Sequence, residues 1–315
     1  MISQRQHHRS KPAQQPSARA ASGGFTLIEL MVVIVIIGVL VGLIAPAIFA
    51  AMRRAREAEV RTEISQLETG ISAFKTEFGG APPSRITFPD LSGLDLTDPT
   101  DRATAKTRWN QLPRSKAIIR RFWGQFDFGR NGGGGAAISG TLNGAECLVF
   151  FLGGVRDGAN GPLVGFSKNP GKPFATGGNR VGPFFDFELG RLTQPGDSGN
   201  TAAPEYLDPL PGQVTPYIYL SGYGGRGYRV KELTDFDKNP STILFPEQPT
   251  WWTLTSWYTQ SSGTAPFKPN SHQIISPGSD NLFGSGGVYD GKNYKSPSTA
   301  DGDNITNFSS GRLTP

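Results

Sequence analysis

Cysteine and histidine are scarce in this sequence, and their scarcity narrows the possible functions. Cys147 is the single cysteine among 315 residues, so no disulfide can form within the chain. Of the three histidines, only His272 lies beyond the first ten residues, and no Ser-His-Asp triad or His/Cys metal-site spacing accompanies it. We therefore expect no enzymatic activity. An exported domain of this composition would draw its stability from packing or from a metal ion.

The body of the chain also lacks a strong excess of charge. The net charge is +5, and Arg5, Arg9, Lys11 and Arg19 near the N-terminus supply +4 of it. The rest of the chain has a net charge near zero and so lacks the excess of positive charge that is typical of nucleic-acid-binding proteins. The stretch 118–128 interleaves arginines with aromatic residues, a pattern that can bind single-stranded nucleic acid. No recognisable binding module surrounds it, so we interpret it as ordinary packing and predict no nucleic-acid partner.

Charge is absent altogether from a long apolar run. The segment 30–52 contains about 23 uncharged residues, which as a helix would extend on the order of 34 Å and cross a hydrocarbon core of about 30 Å. Glu29 lies at the start of this run. A carboxylate within a membrane helix costs roughly 2.5–3.5 kcal/mol, which makes it a candidate functional residue. Its natural partner would be an amino group created by cutting the chain before Phe25.

The residues around Glu29 carry a family resemblance. Gly24-Phe25-Thr26-Leu27-Ile28-Glu29, after a polar, basic segment 1–24, resembles the type III signal of type IV pilins and type II secretion pseudopilins. The resemblance implies that a prepilin peptidase cuts after Gly24 and N-methylates Phe25. It also implies that Glu29 meets a terminal amine during filament assembly, and it includes a proline, here Pro46, within the helix. The alternatives are an ordinary signal anchor or a cut after Ala45-Pro46-Ala47.

The helix is predicted to continue beyond the apolar run. Apolar residues recur at spacings of three and four, which is one stripe on a helix, and the stripe consists of Val60, Ile64, Leu67, Ile71, Phe74 and Phe78. Gly79-Gly80 and Pro82-Pro83 then end the helix. One helix over 25–78 would be roughly 80 Å long. We expect 25–52 to lie in the membrane and the amphipathic part, 53–80, to pack against a body formed by 81–315.

The body is rich in chain breakers, since Gly and Pro together make up about a fifth of the sequence. The sequence predicts a short helix over 102–111, a buried helix over 146–152 with Cys147 as a core residue, and a strand or edge within 172–192 that includes Phe184, Phe185 and Phe187. The segment 222–227 fits the pattern G-x-G-x-x-G. It lacks the strand–helix–strand context of a dinucleotide site, so we interpret it as a turn.

Two further elements resemble the major pseudopilin of type II secretion. One is the turn 208–212 followed by an alternating strand over 215–220, and the other is the strand 271–278 followed by acidic loops. In that family the C-terminal loop holds calcium, a hard cation that prefers oxygen ligands. The candidate ligands are first Asp280, Asp301 and Asp303, and second Asn281, Asn304 and Asp290. The alternative is that these residues simply form turns.

Together these observations predict an α+β, pilin-like fold with one long N-terminal helix, an antiparallel sheet and a loop-rich insertion at about 84–205. The implied function is that of a structural subunit of a type II secretion pseudopilus. The alternatives are a type IV pilin or a surface protein that uses a pilin anchor. The implied partners are prepilin peptidase, other pilin subunits and the secretion platform. The implied location is the inner membrane, with the N-terminus cytoplasmic and the body extracytoplasmic.

Overall fold

A computed structural model describes residues 24–134, 138–158, 161–193, 203–222, 228, 257–260, 265–290 and 299–313. It divides the chain into two compact units, Met1–Met52 and Arg53–Pro315. Residues 1–23 of the polar N-terminal segment and 223–227 of the glycine-rich motif lie outside the described residues. The observed architecture is a mixed α+β fold with a long N-terminal apolar helix and small antiparallel sheets, as expected for a pilin-like protein.

Helix α1 runs from Leu27 to Phe78 and contains Pro46. In its first part, up to Met52, the large apolar side chains are exposed. Its second part buries the predicted stripe, namely Val60, Ile64, Leu67, Ile71 and Phe74, while Phe78 is half-buried against the same core. The helix ends where Gly79 adopts a positive φ of 70°, and Arg121 donates to the carbonyl of Gly79 at 3.1 Å. The periodicity therefore predicted both the length and the buried face of α1.

Three shorter helices belong to the second unit: α2 (Pro99–Asn110), α3 (Pro113–Phe122) and α4 (Gly144–Gly153). α2 begins three residues before the predicted start because Asp98 caps it and Pro99 has the fixed φ that suits a first helical position. α4 is buried at every residue. Its N-terminus is closed by a capping box, in which Asn143 accepts from the amide of Glu146 at 3.0 Å and donates its own amide to Glu146 at 2.8 Å.

The strands are short. In chain order they are β1 (Ile86–Phe88), β2 (Gly140–Leu142), β3 (Phe166–Ser167), β4 (Arg180–Val181), β5 (Leu192–Thr193), β6 (Glu205–Tyr206), β7 (Ile218–Ser221), β8 (Tyr258–Thr259), β9 (His272–Ser276), β10 (Gly287–Val288) and β11 (Ile305–Thr306). The largest described sheet is antiparallel, in the order β11-β9-β7, with Ile218 opposite Ile275. The pairs β1-β2, β3-β4 and β5-β6 are antiparallel, and β8-β10 is parallel.

The structure corrects one expectation about the strands. Phe184, Phe185 and Phe187 do not form a strand; the strand in this region is β4, which ends at Val181. The physical reason is the pair Gly182-Pro183, because Gly182 has a φ of 74° and a proline has no N–H to donate to a sheet. Phe184 and Phe185 instead pack as half-buried side chains against the main core.

The main core joins the buried stripe of α1 to α4 through aromatic contacts. Phe74 lies with ring centroids 5.6 Å from Phe151 of α4 and 5.3 Å from Phe122 of α3. The aromatic residues of the 118–128 stretch, Trp123, Phe126 and Phe128, are buried in the same core. They are therefore occupied by packing, which agrees with the interpretation given to this stretch. Cys147 is fully buried in α4.

Candidate functional site

The first turn of α1 contains a capping box formed by Thr26 and Glu29. Glu29 Oε2 accepts hydrogen bonds from the backbone N–H and the side-chain hydroxyl of Thr26, both at 2.8 Å. In return, the amide of Glu29 donates to Thr26 Oγ1 at 3.2 Å. A helix N-terminus leaves backbone N–H groups without intrahelical partners and carries a partial positive charge, so a carboxylate there is favourable.

This geometry gives Glu29 a local partner within its own chain. The carboxylate lies at the end of the apolar helix, bound to Thr26, rather than isolated within it. Sequence reasoning assigned Glu29 to a terminal amine and missed the role of Thr26. The signal was present, because Thr-x-x-Glu before an apolar run is the sequence pattern of a capping box.

The Gly24–Phe25 bond precedes the helix. Residues 24–26 have no regular structure, and Phe25 is 87% exposed. A Cβ placed on Gly24 would meet no atom within 4 Å. Folding therefore does not require glycine at position 24. If glycine is needed there, the reason must be a partner that recognises the Gly24–Phe25 bond.

α1 is the one helix of the described residues that is long and apolar enough to cross a membrane. With a non-helical, accessible segment before it and a separate α+β unit after Met52, the chain has the features of a protein anchored by a single membrane helix. Residues 19–45 match the family model of the prokaryotic N-terminal methylation motif. The chain thus carries the prepilin-type signal of type IV pilins and pseudopilins, which implies processing by prepilin peptidase and assembly with other pilin subunits. No solved structure matches the chain.

The structure brings Asp280 and Asp303 together in the C-terminal acidic loops. Asp303 Oδ2 accepts from the amide of Ser279 at 2.6 Å, from its hydroxyl at 2.7 Å and from the amide of Asp280 at 3.1 Å. Asp280 follows β9, and its Oδ1 accepts from the amide of Leu282 at 2.8 Å. Burial and the neighbouring Asp303 carboxylate both raise the pKa of Asp280, burial being the larger cause.

Asp301 and Asn304 lie deeper and share Tyr258. The Tyr258 hydroxyl donates to Asp301 Oδ1 at 2.7 Å and accepts from Asn304 Nδ2 at 2.8 Å. Asp301 also accepts from the amides of Ser285 and Gly286, each at 3.0 Å. Both Asp301 oxygens are thus already bound by donors, and the residue holds the loop 283–286 in place. A Cβ on Gly284 would lie 2.1 Å from Asp301 Oδ2, which explains the glycine there.

Asn281 and Asp290 have other neighbours. Asn281 Oδ1 accepts from the amide of Val214 at 2.8 Å, which ties the acidic loop to the turn after Asp208. Asp208 is buried and accepts from Ser276 of β9 at 2.5 Å. Asp290 follows β10; its charge raises the pKa of the adjacent Tyr289, after the larger effect of burial.

The oxygen atoms of Asp303 and Asn304 provide a test of whether this loop fits a cation. Asp303 Oδ1 and Asn304 Oδ1 are both buried, and neither has a hydrogen-bond donor among the described residues. Buried acceptors are rarely left without a partner, and carboxylate and amide oxygens suit Ca²⁺. Asp303 and Asn304 thus each carry one buried oxygen of the type that a hard cation prefers. No group of three or more His, Cys, Asp or Glu side chains able to hold a metal is found in the described part of the chain.

Two glutamates of α1 that the sequence analysis did not single out join the helix to the rest of the second unit. Glu63 is buried and accepts from Tyr217 at 2.7 Å, from Tyr206 at 3.0 Å and from Arg191 at 2.9 Å. These partners lie far along the chain, so no local pattern marks the cluster. Removing these partners would leave a buried carboxylate unpaired, and this would strongly lower the stability of the fold.

The second of these residues is Glu68, one turn and a half further along α1. It accepts from Lys268 at 2.6 Å and from Asn307 at 2.8 Å. His272 Nε2 lies 3.6 Å from the same carboxylate, and its Nδ1 is 3.0 Å from Ser271 Oγ. His272 thus belongs to a polar cluster that fixes α1 to β9, which is a structural role.

Proposed function

We propose that this chain is a structural subunit of a type II secretion pseudopilus. It would be cut after Gly24 and methylated at Phe25 by prepilin peptidase, and it would wait in the inner membrane with its α+β unit on the extracytoplasmic side. Subunits would then stack through the apolar part of α1 into a short filament that supports protein secretion. The role is mechanical and includes no catalytic step.

The observation that carries the proposal is the prepilin-type motif placed directly before an exposed apolar helix. Residues 19–45 match the methylation motif, and the side chains of α1 from Leu27 to Leu43 are exposed. Outside lipid, so large an apolar surface requires a partner. Stacking of α1 helices from neighbouring subunits would cover it.

In this proposal Glu29 changes partner during assembly. In the single subunit its Oε2 is bound by Thr26. Cutting after Gly24 creates an amine on Phe25, one residue before the amide that Glu29 already accepts. The amine of a neighbouring subunit would then pair with Glu29, so that neither charge remains unpaired in an apolar surrounding. The capping box holds the carboxylate at the helix end where such an amine would arrive.

The pseudopilus is favoured over a disulfide-closed type IV pilin by the absence of a cysteine pair. A C-terminal disulfide loop is impossible with Cys147 alone. We further propose that calcium stabilises the C-terminal loops instead. Asp280, Asp303 and Asn304 would supply side-chain oxygens, and backbone carbonyls or water would complete the six to eight ligands that calcium takes. The two unpartnered buried oxygens support this assignment.

The proposal is tested by the N-terminal mass of the protein isolated from its native membrane. We expect a chain that begins at N-methylated Phe25, together with loss of secreted proteins from the medium when the gene is deleted. A chain that retains Met1, or one cut near Ala47, would contradict processing by prepilin peptidase. If the wild-type chain is processed correctly but secretion stays normal when the gene is deleted, the pseudopilus is excluded. A type IV pilin or a pilin-anchored surface protein would then remain.

A further inference from the structure

Basic side chains from α2 and α3 gather around the segment 127–129. Lys116 Nζ lies 5.0 Å and the Arg120 guanidinium 5.3 Å from the centre of the Phe128 ring. On the α2 side, a Cβ placed on Gly129 would lie 3.1 Å from Lys106 Cε. We call Lys106, Lys116 and Arg120 the basic surface. Lys106 and Arg120 are exposed, and Lys116 is half-buried.

Positive charge exceeds negative charge along this part of the sequence. Between Arg102 and Arg130 the sequence contains eight Lys or Arg residues and one acidic residue, Asp127. Asp127 lies 4.0 Å from Arg102, so its charge is already shared with that residue. Lys116 and Arg120 lie over the same aromatic ring, so their positive charges are close together and would both attract an incoming anionic group.

The opposite charge is concentrated in the segment just before. Residues 90–101, which we call the acidic segment, contain Asp90, Asp95, Asp98 and Asp101 and no Lys or Arg. Asp90, Asp95 and Asp98 are exposed. Local hydrogen bonds fix their positions: Asp90 accepts from the amide of Ser92 at 2.9 Å, and Asp95 accepts from the amide of Thr97 at 2.9 Å. The acidic groups therefore form a preorganised, solvent-facing surface.

Within one copy, about two turns of α2 separate Asp98 from Lys106. Asp98 caps the N-terminus of α2, and Lys106 lies eight residues later, roughly 12 Å along the helix axis. The Debye length at physiological ionic strength is about 8 Å, so these charges are largely screened from one another. Asp101 is only five residues from Lys106, and Arg108 donates to the backbone carbonyl of Asp90. The exposed carboxylates of Asp90, Asp95 and Asp98 are therefore the ones available to the basic surface of another molecule.

We infer that the basic surface of one copy binds the acidic segment of a neighbouring copy in a head-to-tail contact. This inference rests on the proposed function, since it assumes that copies of the chain are brought together by α1. The two surfaces differ, so the contact is heterologous. A heterologous contact that does not close into a ring generates an open filament. The contact would set the orientation of neighbouring α+β units, a property that apolar helix stacking alone leaves weakly specified.

Charge reversal in the full-length chain tests the inference. One variant carries Lys106→Glu and Arg120→Glu, and the other carries Asp90→Lys and Asp95→Lys. We expect each variant alone to lower the assembled fraction at least roughly tenfold, because attraction is replaced by repulsion at each contact. When the two variants are co-expressed, the reversed basic surface of one variant meets the reversed acidic segment of the other, and the two intact surfaces meet each other, so opposite charges face one another at every contact. Assembly should then return, with the two variants alternating.

Two controls make the result specific. Lys75→Glu with Lys168→Glu changes the net charge equally at exposed positions outside the basic surface and should assemble normally. Asp90→Asn with Asp95→Asn keeps the hydrogen-bond acceptors of the acidic segment, which separates loss of charge from loss of loop structure. In addition, zero-length carbodiimide cross-linking of isotopically light and heavy copies should join Lys106 of one copy to Asp95 of another.

The outcomes distinguish this inference from the proposed function. If wild-type chains assemble and both reversed variants assemble equally well, the head-to-tail contact is wrong and the filament role stands. If both variants fail and their mixture also fails, the basic surface binds a different partner, and the contact between copies is wrong. If correctly processed wild-type chains never assemble, the proposed function is wrong and this inference fails with it.

Discussion

Lys268 Nζ lies 2.6 Å from Glu68 Oε1, and this ion pair joins α1 to the segment that leads into β9. Asn307, just after β11, donates to the same oxygen at 2.8 Å. A single carboxylate on α1 thus binds both the segment before β9, the central strand of the sheet, and the segment after β11, an outer strand. Partial burial acts to raise the pKa of Glu68, but hydrogen bonds from His272, Lys268 and Asn307 outweigh it and lower the pKa to about 2.

The lowered pKa of Glu68 predicts a loss of stability in acid. A carboxyl group whose pKa is lower in the folded than in the unfolded chain stabilises the fold above its unfolded pKa, here 4.5, and this contribution disappears as the pH falls toward about 2. Glu68 is a third exposed, so after screening we expect about 1 kcal/mol. Urea unfolding of the detergent-solubilised chain between these pH values should show the loss, and Glu68→Gln should remove it. Glu59→Gln, at an exposed position, is the control; an equal effect there would contradict the assignment.

Two substitutions in the first turn of α1 show whether filament assembly needs the charge of Glu29 or the helix cap that it forms with Thr26. Glu29→Gln retains an oxygen that can accept from Thr26 but removes the charge, so we expect correct trimming and little or no filament. Thr26→Ala keeps the charge and removes the hydroxyl, and it should weaken the helix start by about 1 kcal/mol while filaments still form. Electron microscopy and the trimmed mass measure the two effects. Equal loss of filaments in both variants would show that capping, and not pairing with an amine, is what assembly needs.

Substitution of Gly24 should affect processing and not folding. A Cβ at this position has open space around it. We therefore expect Gly24→Leu to accumulate as the untrimmed chain with an unchanged melting temperature of its α+β unit. Immunoblotting of membranes distinguishes the two lengths. Efficient trimming of this variant would mean that the peptidase does not read position 24.

The close approach of α4 to β7 predicts a strong effect at Gly144. A Cβ there would lie 2.0 Å from the carbonyl oxygen of Tyr219, and backbone cannot move aside as a flexible side chain can. We expect Gly144→Ala to lower the free energy of unfolding by about 3 kcal/mol or more. Gly190→Ala, where a Cβ would meet nothing within 4 Å, should be nearly neutral. Thermal unfolding of both variants is the measurement, and similar melting temperatures would show that the packing around Gly144 is looser than described.

Calcium should raise the stability of the purified chain through Asp303. At a calcium concentration 100 times the dissociation constant, the gain would be about 2.7 kcal/mol. Asp303→Asn should abolish this gain, because its Oδ1 is one of the buried unpartnered oxygens. Asp301→Asn should instead lower stability with or without calcium, since Asp301 accepts from Tyr258 and from two amides. Asp157→Asn, at an exposed position, is the control. A calcium response that survives Asp303→Asn would place the ion elsewhere.

Much of the fold could be predicted because its signals are periodic and local. The stripe from Val60 to Phe74 marked the buried face of α1, and the apolar run with Cys147 marked α4 as a buried helix. The pair Gly182-Pro183 was equally visible, yet the aromatic residues after it suggested a strand. Composition favoured a strand there, but a strand also needs N–H donors and extended backbone, which this pair interrupts.

The site was harder to predict where partners come from distant positions. Glu63 meets Tyr206 and Tyr217, more than 140 residues along the chain, and a single sequence contains no sign of such a contact. In the acidic loops, too, the sequence alone was not sufficient to predict the site. Composition indicated which residues have oxygen ligands to offer, but only the structure shows that Asp301 has both of its oxygens engaged while Asp303 and Asn304 each retain one.

α4 is buried along its whole length, so hydrogen exchange at its amides can report how often the molecule unfolds completely. Its amide protons are reached by water only when the layers on every side separate, so their exchange with deuterated solvent should report global unfolding alone. Amides in the short two-stranded sheets would exchange through small local openings. Peptides from α4 would therefore be the last to gain deuterium, and their labelling would record how often the whole α+β unit comes apart.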